Sequence, residues 1–135
     1  MALVAAYPLR TAKPSAVAPL AIKGYDPVAY FTEGMATRGL PEIEYVWGGD
    51  RYLFSRPEHR ELFKANPMRY APQFGNFCAM ALSNGKVVEA DPENWLISDG
   101  KLYVFGKPGG PDLFRRDLAA SVAKANLNRT LLPKH

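Results

Sequence analysis

Short apolar runs separated by glycine-containing turns are the feature that most limits the fold of this chain. The 135-residue sequence contains 11 Gly and 12 Pro, and many of them fall between these runs. Gly and Pro interrupt both helices and strands, so the elements must be short. The pattern predicts a single α+β domain built from hairpins with helices packed on them.

Three segments combine bulky alternating residues with hairpin turn residues. The strand pairs are 43–47 with 51–54 around Gly48-Gly49-Asp50, 77–82 with 86–88 around Ser83-Asn84-Gly85, and 95–97 with 102–105 around Asp99-Gly100. Asn-Gly and Asp-Gly favour type I′ turns, because both central residues need positive φ. We therefore expect one small antiparallel sheet of four to six strands.

Two helices are expected to cover this sheet. Ser55 and Glu58 have the spacing of a capping box, in which both side chains bond backbone N–H groups at a helix start. That helix should end near Ala65, because the Pro at position 67 disfavours helical geometry in the preceding residue. The second helix begins at residues 109–112 and carries apolar residues at i, i+4 and i+8; these are Phe114, Leu118 and Val122.

The N-terminal segment resembles a signal peptide only superficially. No Lys or Arg precedes residues 2–9, and Arg10 and Lys13 interrupt the segment before a hydrophobic region develops. We interpret residues 1–20 as a loosely ordered arm and residues 21–135 as one domain. The sequence as written favours a cytoplasmic location, with a periplasmic location as the alternative if a signal peptide has been removed.

Charge and motif content exclude several functional classes. The formal net charge is +4, from 17 basic and 13 acidic residues. The basic residues do not alternate with aromatic residues, and no nucleic-acid-binding motif is visible, so no nucleic-acid partner is expected. No apolar stretch reaches the ~18–20 residues of a membrane span. Phosphate loops, nucleophile elbows and paired-histidine zinc motifs are also missing from the sequence, which favours a non-enzymatic protein.

Several uncommon strings occur in a characteristic order. They are residues 21–31 (AIKGYDPVAYF), 52–63 (YLFSRPEHRELF), 67–70 (PMRY), 71–79 (APQFGNFCA) and 91–95 (DPENW). Together they resemble the bacterial stand-alone YHS-domain proteins over roughly residues 21–105. The resemblance implies a YHS-like fold. Some relatives in this group carry selenocysteine at the position of Cys78, which implies that this position is used chemically.

The resemblance also bears on metal binding. The wider YHS and cysteine-rich modules occur in metal-handling proteins, but Ala29, Ser55 and His59 stand where such modules carry cysteines. Of these three, only His59 could be a ligand. A closed zinc site needs about four N or S ligands, and this sequence has one Cys and two His, one of them His135. We therefore expect no structural zinc finger.

Cys78 is the only cysteine, so it cannot form an intramolecular disulfide. One interpretation is an inert core residue within a strand at 77–82. The other is a functional thiol, which needs access and a nearby cation or helix start. Met80 would share its strand face. Cys78 and Met80 could bind a soft metal ion such as copper, in the form Cu(I), together with His59 or with the thioether of Met68.

A second predicted ligand-binding group lies near the start of the domain. Tyr25 offers a hydroxyl and Asp26 a carboxylate, close to a dense set of aromatic residues that could line a cleft. The alternative is purely structural, because Asp before Pro commonly closes a turn and the aromatic residues would then form the core. Both interpretations stay open for these residues at this point.

The sequence favours a small non-enzymatic binding module that holds a soft metal ion or a small ligand near Cys78. One alternative is a thiol redox protein in which Cys78 cycles through a sulfenic acid or mixed disulfide. The other is an interaction or oligomerisation domain, such as a homodimer, in which this cysteine is inert. Beyond the soft metal ion, the sequence identifies no cofactor.

Overall fold

The computed structural model describes residues 18–133. Its elements in chain order are a helical turn Ala21–Gly24, α1 Ala29–Thr32, β1 Leu40–Trp47, β2 Asp50–Phe54, α2 Pro57–Ala65, α3 Pro67–Tyr70, α4 Ala79–Ser83, β3 Asp91–Ser98, β4 Lys101–Phe105, α5 Gly110–Arg116, α6 Leu118–Leu127 and a 3₁₀ turn Arg129–Leu131. Helices and antiparallel hairpins together confirm the predicted α+β class.

The predicted arm falls mostly on residues 1–17, which lie outside the described residues, as does His135. The end of that arm is attached to the domain. Leu20 forms a parallel bridge with Arg51, and the Arg51 N–H donates to Pro19 O at 2.8 Å. Contacts with the first hairpin therefore begin ahead of residue 21.

Two of the three predicted hairpins are confirmed. β1 pairs with β2, and β3 pairs with β4, both antiparallel. The first turn is Gly48-Gly49 with φ of 61° and 88°, and the second is Asp99-Gly100 with φ of 54° and 72°. Positive φ at both central residues is what a type I′ turn requires. The strands form two separate two-stranded sheets, so the expectation of one sheet of four to six strands is wrong.

Helix α2 has the predicted extent but not the predicted cap. It begins at Pro57, follows Arg56 as its N-cap, and has no side-chain cap. The Ser55 hydroxyl instead donates to Asp26 Oδ2 at 2.7 Å. The capping-box prediction is therefore wrong, because a buried carboxylate 29 residues away takes the Ser55 hydroxyl.

The predicted C-terminal helix is two helices. α5 and α6 are separated at Asp117, whose φ of −140° and ψ of 70° are not helical. The apolar stripe is nevertheless used, since Phe114 is fully buried and Leu118 and Val122 pack beside it in partly buried positions. Within residues 18–133, none of the helices combines the length and the apolar character needed to cross a membrane.

The β3–β4 hairpin divides the buried side chains into two clusters. Successive residues of a strand face opposite sides, so Leu102 and Val104 belong to a first core while Tyr103 and Phe105 belong to a second. The first core lies with the β1–β2 hairpin and includes the fully buried Phe63 of α2. The second core lies among α4, α5 and α6, and it contains Cys78, Leu82, Leu96, Phe114 and Ala125.

Candidate functional site

Cys78 lies at the start of a helix and not within a strand. It is the N-cap of α4, with φ of −67° and ψ of 118°, and its Sγ accepts a hydrogen bond from Ala81 N at 3.4 Å. Its own N–H donates to Val88 O at 2.8 Å. The residue is 7% exposed. The prediction of a strand at 77–82 is therefore wrong, and the sulfur instead satisfies a backbone donor that the first helical turn leaves unpaired.

The Asn84-Gly85 pair ends this helix. Gly85 has φ of 79°, its N–H donates to Leu82 O at 2.9 Å, and Lys86 N–H donates to Ala81 O at 2.9 Å. These bonds satisfy carbonyl groups at the helix end, as a left-handed glycine commonly allows. A hairpin turn and a helix end both use Gly with positive φ, so the Asn-Gly signal alone did not distinguish them.

A groove of about 330 Å³ lies beside Cys78. It is formed by the start of α4, the segment leading to Val88, residues 106–110 and the first turns of α5. The lining residues are Cys78, Met80, Ala81, Asn84, Val88, Gly106, Lys107, Gly109, Gly110 and Leu113. Most of these side chains are apolar or absent, so the walls consist largely of carbon, two sulfur-bearing side chains and backbone.

Glycines let the backbone of residues 106–110 form part of the groove wall. A Cβ on Gly106 would lie 3.6 Å from Val88 Cγ1 and 3.8 Å from Cys78 Cβ. A Cβ on Gly110 would lie 2.7 Å from Phe105 Cβ, closer than real Cβ contacts allow. Gly110 is therefore required where α5 begins against β4, whereas a Cβ at Gly106 would lie against Val88, Cys78 and the Glu89 carbonyl oxygen, the last at 3.3 Å.

A second polar centre is buried at Asp26. The Asp26 side chain is fully buried, and its Oδ1 accepts hydrogen bonds from Val28 N at 2.9 Å and Ala29 N at 3.3 Å. Its Oδ2 accepts from Ser55 N at 2.8 Å, from Ser55 Oγ at 2.7 Å and from His59 Nδ1 at 2.6 Å. The bonds of Oδ1 fit the interpretation of Asp26 as a turn-closing residue, and Ser55 and His59 occupy Oδ2. The ligand-binding role of Asp26 stays a prediction.

His59 is engaged at both ring nitrogens. Besides the contact with Asp26, its Nε2 lies 3.2 Å from Thr32 Oγ1 and 3.7 Å from Glu33 Oε2. The residue is 3% exposed. The imidazole therefore links α1 to α2, and a metal ion could bind His59 only by displacing one of these partners.

Tyr25 lies beside Glu93. Its hydroxyl donates to Glu93 Oε2 at 2.7 Å, and this hydrogen bond raises the pKa of Tyr25 above its usual value. The Arg38 guanidinium stacks on its ring with 5.0 Å to the centroid. A ligand at Tyr25 would have to compete with Glu93 for the hydroxyl, so the ligand-binding role of Tyr25 stays a prediction.

The three residues predicted to bind a metal do not all line the same groove. Cys78 and Met80 both line the groove, whereas His59 is not among its lining residues. Across residues 18–133, no three His, Cys, Asp or Glu side chains are grouped so as to hold a metal ion. The pair of sulfur-bearing side chains is the part of the predicted set that the fold brings together.

Sequence reasoning missed Lys107 and Leu113. Both line the groove although they lie about 30 residues beyond Cys78 in the chain. The local signal was the glycine-rich run GKPGG at residues 106–110, which marks close backbone approach, but nothing in it names Cys78 as the neighbour.

Comparison with other proteins adds no assignment to this geometry. The chain matches no protein-family model, no curated protein and no solved structure. The resemblance to YHS-domain proteins therefore stays a prediction from residues 21–105, and the groove beside Cys78 is the feature from which a function is inferred.

Proposed function

We propose that this chain is a small non-enzymatic binding module whose groove beside Cys78 takes a small, largely apolar ligand. One observation carries the proposal, namely that a groove of about 330 Å³ with mostly apolar walls lies beside the only cysteine. This volume falls at the lower end of the ~300–1,000 Å³ range of small-molecule pockets. The resemblance to stand-alone YHS-domain proteins is part of the same proposal and is supported by the strings at residues 21–105.

The exposure of the groove walls supports a binding role. Val88 is 45% exposed and Leu113 is 47% exposed, although both side chains are apolar. Covering such carbon surface with an apolar ligand removes it from water, and this contributes about 25 cal/mol per Å². Cys78 is 7% exposed beside them, so a bound ligand would shield its sulfur.

A titration with 1-octanol tests the proposal. Methyl resonances of Met80, Val88 and Leu113 should shift together and saturate. Leu113→Gln should weaken binding about fivefold, because part of an apolar wall is lost. Leu62→Gln is the matched control, since Leu62 is 42% exposed and lines none of the groove. If these methyl resonances do not saturate, or if both variants bind alike, the proposal is rejected.

A second candidate ligand is a soft metal ion such as Cu(I). It is favoured because Cys78 and Met80 line the same groove and thiolate and thioether ligands select Cu(I). Anaerobic titration with Cu(I) should show weaker binding for Cys78→Ser and for Met80→Leu. Met68→Leu is the control, since Met68 is 72% exposed and not part of the groove. Equal Cu(I) affinity in all four proteins would remove the metal ion as a ligand.

Thiol labelling separates binding from a redox role of Cys78. A redox thiol must react readily in the folded protein, whereas a thiol at the edge of a ligand groove should be protected when the groove is filled. The rate of labelling by a disulfide probe is therefore measured against pH, with and without 1-octanol. Fast labelling at low pH that 1-octanol does not slow would favour the redox alternative over binding.

A further inference from the structure

The groove beside Cys78 has an uneven charge distribution. Of the described lining residues, Lys107 is the only charged one, and its side chain is exposed. Among residues 18–133 no carboxylate forms an ion pair with it. The groove therefore combines apolar walls with one lining cation that no carboxylate of the described residues pairs with.

The carboxylates that lie nearest to the groove in sequence are directed to other cations. Glu89 follows the lining residue Val88, and its Oε1 lies 3.9 Å from Lys23 Nζ. Asp112 precedes the lining residue Leu113 and pairs with Arg115. Neither carboxylate is a lining residue, so Lys107 carries the only charge among the described residues that line the groove, and an incoming anion meets no lining carboxylate.

We infer that the groove selects an apolar chain ending in an anionic group, such as a monocarboxylate amphiphile. The chain would cover Val88, Met80 and Leu113, and the carboxylate would lie within reach of the Lys107 ammonium group. A neutral chain satisfies only the walls, and a cationic chain places like charges together. This inference rests on the proposed binding function and adds the charge of the ligand to it.

Three probes of equal chain length test the inference, namely octanoate, 1-octanol and octylammonium. Calorimetry and methyl chemical shifts at pH 7 should give octanoate the highest affinity, about fivefold above 1-octanol, because an exposed ion pair contributes up to about that factor. Octylammonium should be the weakest. Raising the salt concentration should reduce the preference for octanoate, since exposed charges are screened.

Lys107→Met should abolish the preference for octanoate over 1-octanol, because the only charged lining residue is then neutral. Lys124→Met is the matched control, because Lys124 is also exposed but lies on α6 outside the groove. In a homologous series from hexanoate to decanoate, affinity should rise up to about fourfold per added methylene until the groove is filled.

The outcomes separate this inference from the proposed function. If 1-octanol binds and octanoate binds no tighter, or if Lys107→Met keeps the preference, the anionic ligand is excluded while the groove remains a binding site. If octylammonium binds more tightly than octanoate, the anionic ligand is likewise excluded and the groove remains a binding site. If none of the three probes binds, the proposed function itself fails, and the charge selection fails with it.

Discussion

The Asp26 carboxylate and the His59 imidazole form a buried pair, with Oδ2 2.6 Å from Nδ1. The two residues are 33 positions apart. Asp26 precedes α1 and His59 lies in α2, so the pair fixes these helices relative to each other. Ser55, at the end of β2, donates to the same oxygen through its N–H and its hydroxyl. One carboxylate thus holds three segments of the chain together.

Replacing Asp26 should therefore be strongly destabilising. Asp26→Ala leaves the donors of Ser55 and His59 without an acceptor in a buried region, and each unsatisfied donor costs about 1–3 kcal/mol. We expect the free energy of unfolding in urea to fall by about 3 kcal/mol or more. Glu33→Gln is the control, since Glu33 Oε2 is 3.7 Å from the imidazole and its side chain is 32% exposed. A loss of about 1 kcal/mol or less in Asp26→Ala would contradict the role of this pair.

The sulfur of Cys78 should contribute to stability as a helix cap. Cys78→Ala removes the acceptor for Ala81 N–H, and losing an N-cap acceptor costs about 1 kcal/mol. Cys78→Ser keeps a side-chain acceptor at the N-cap. Its free energy of unfolding should therefore stay within about 0.5 kcal/mol of that of the original protein. Urea denaturation of both variants measures the difference. Equal losses in the two variants would show that the 3.4 Å contact contributes nothing.

The parts of the fold that the sequence predicts correctly are those determined by neighbouring residues. Gly48-Gly49 and Asp99-Gly100 adopt positive φ, and each turn joins strands only a few residues away. The Asn84-Gly85 pair gives the same local signal but ends the helix that begins after Cys78. Whether this segment forms a helix or a hairpin depends on its packing in the second core. That packing involves residues distant in the chain, so a short window of sequence does not reveal it.

In the candidate site too, features set by neighbouring residues were predicted and features set by distant contacts were not. Cys78 and Met80 were predicted as partners on a strand, and they share the groove although their segment is helical at Met80. Lys107 and Leu113 were missed because the groove forms only when α5 packs near α4. The Asp26 and His59 side chains were assigned separate roles, since a pairing across 33 residues has no signature in either local pattern.

Alkaline pH should destabilise the protein through its buried tyrosines. Burial raises the pKa of Tyr30 and of Tyr52 above the usual value of 10. The folded state then holds these protons more tightly than the unfolded state. Their contribution is fully present below pH 10, and it decreases as pH rises above 10, by about 1.4 kcal/mol per pH unit for each tyrosine.

Tyr52→Phe tests this linkage, because Phe cannot ionise. At pH 7 the variant reports only the packing effect of removing the hydroxyl. Between pH 10 and 11.5, its free energy of unfolding should fall less steeply than that of the original protein. Parallel curves for the two proteins over this range would show that the Tyr52 proton is not linked to folding. The ultraviolet absorbance of tyrosinate follows the ionisation of these residues, and the part that belongs to the buried tyrosines should rise together with unfolding.

Two adjacent glycines at the groove should respond differently to the same methyl group. A Cβ at Gly110 would lie 2.7 Å from Phe105 Cβ and 2.9 Å from Phe105 Cδ1, whereas a Cβ at Gly109 meets nothing within 4 Å. Phe105 is fully buried, so its ring cannot move away without disturbing the second core. Gly110→Ala should lower the free energy of unfolding by about 1–3 kcal/mol, as overpacking does.

Gly109→Ala is the matched control for this substitution. Gly109 has φ of −78° and ψ of −9°, a conformation that alanine adopts readily. The free energy of unfolding of Gly109→Ala should therefore stay within about 0.5 kcal/mol of that of the original protein. Urea unfolding of both variants provides the comparison. Equal stabilities would mean that the start of α5 can shift away from β4. Such a shift would alter the groove, because residues 106–110 form its wall only while α5 stays against Phe105.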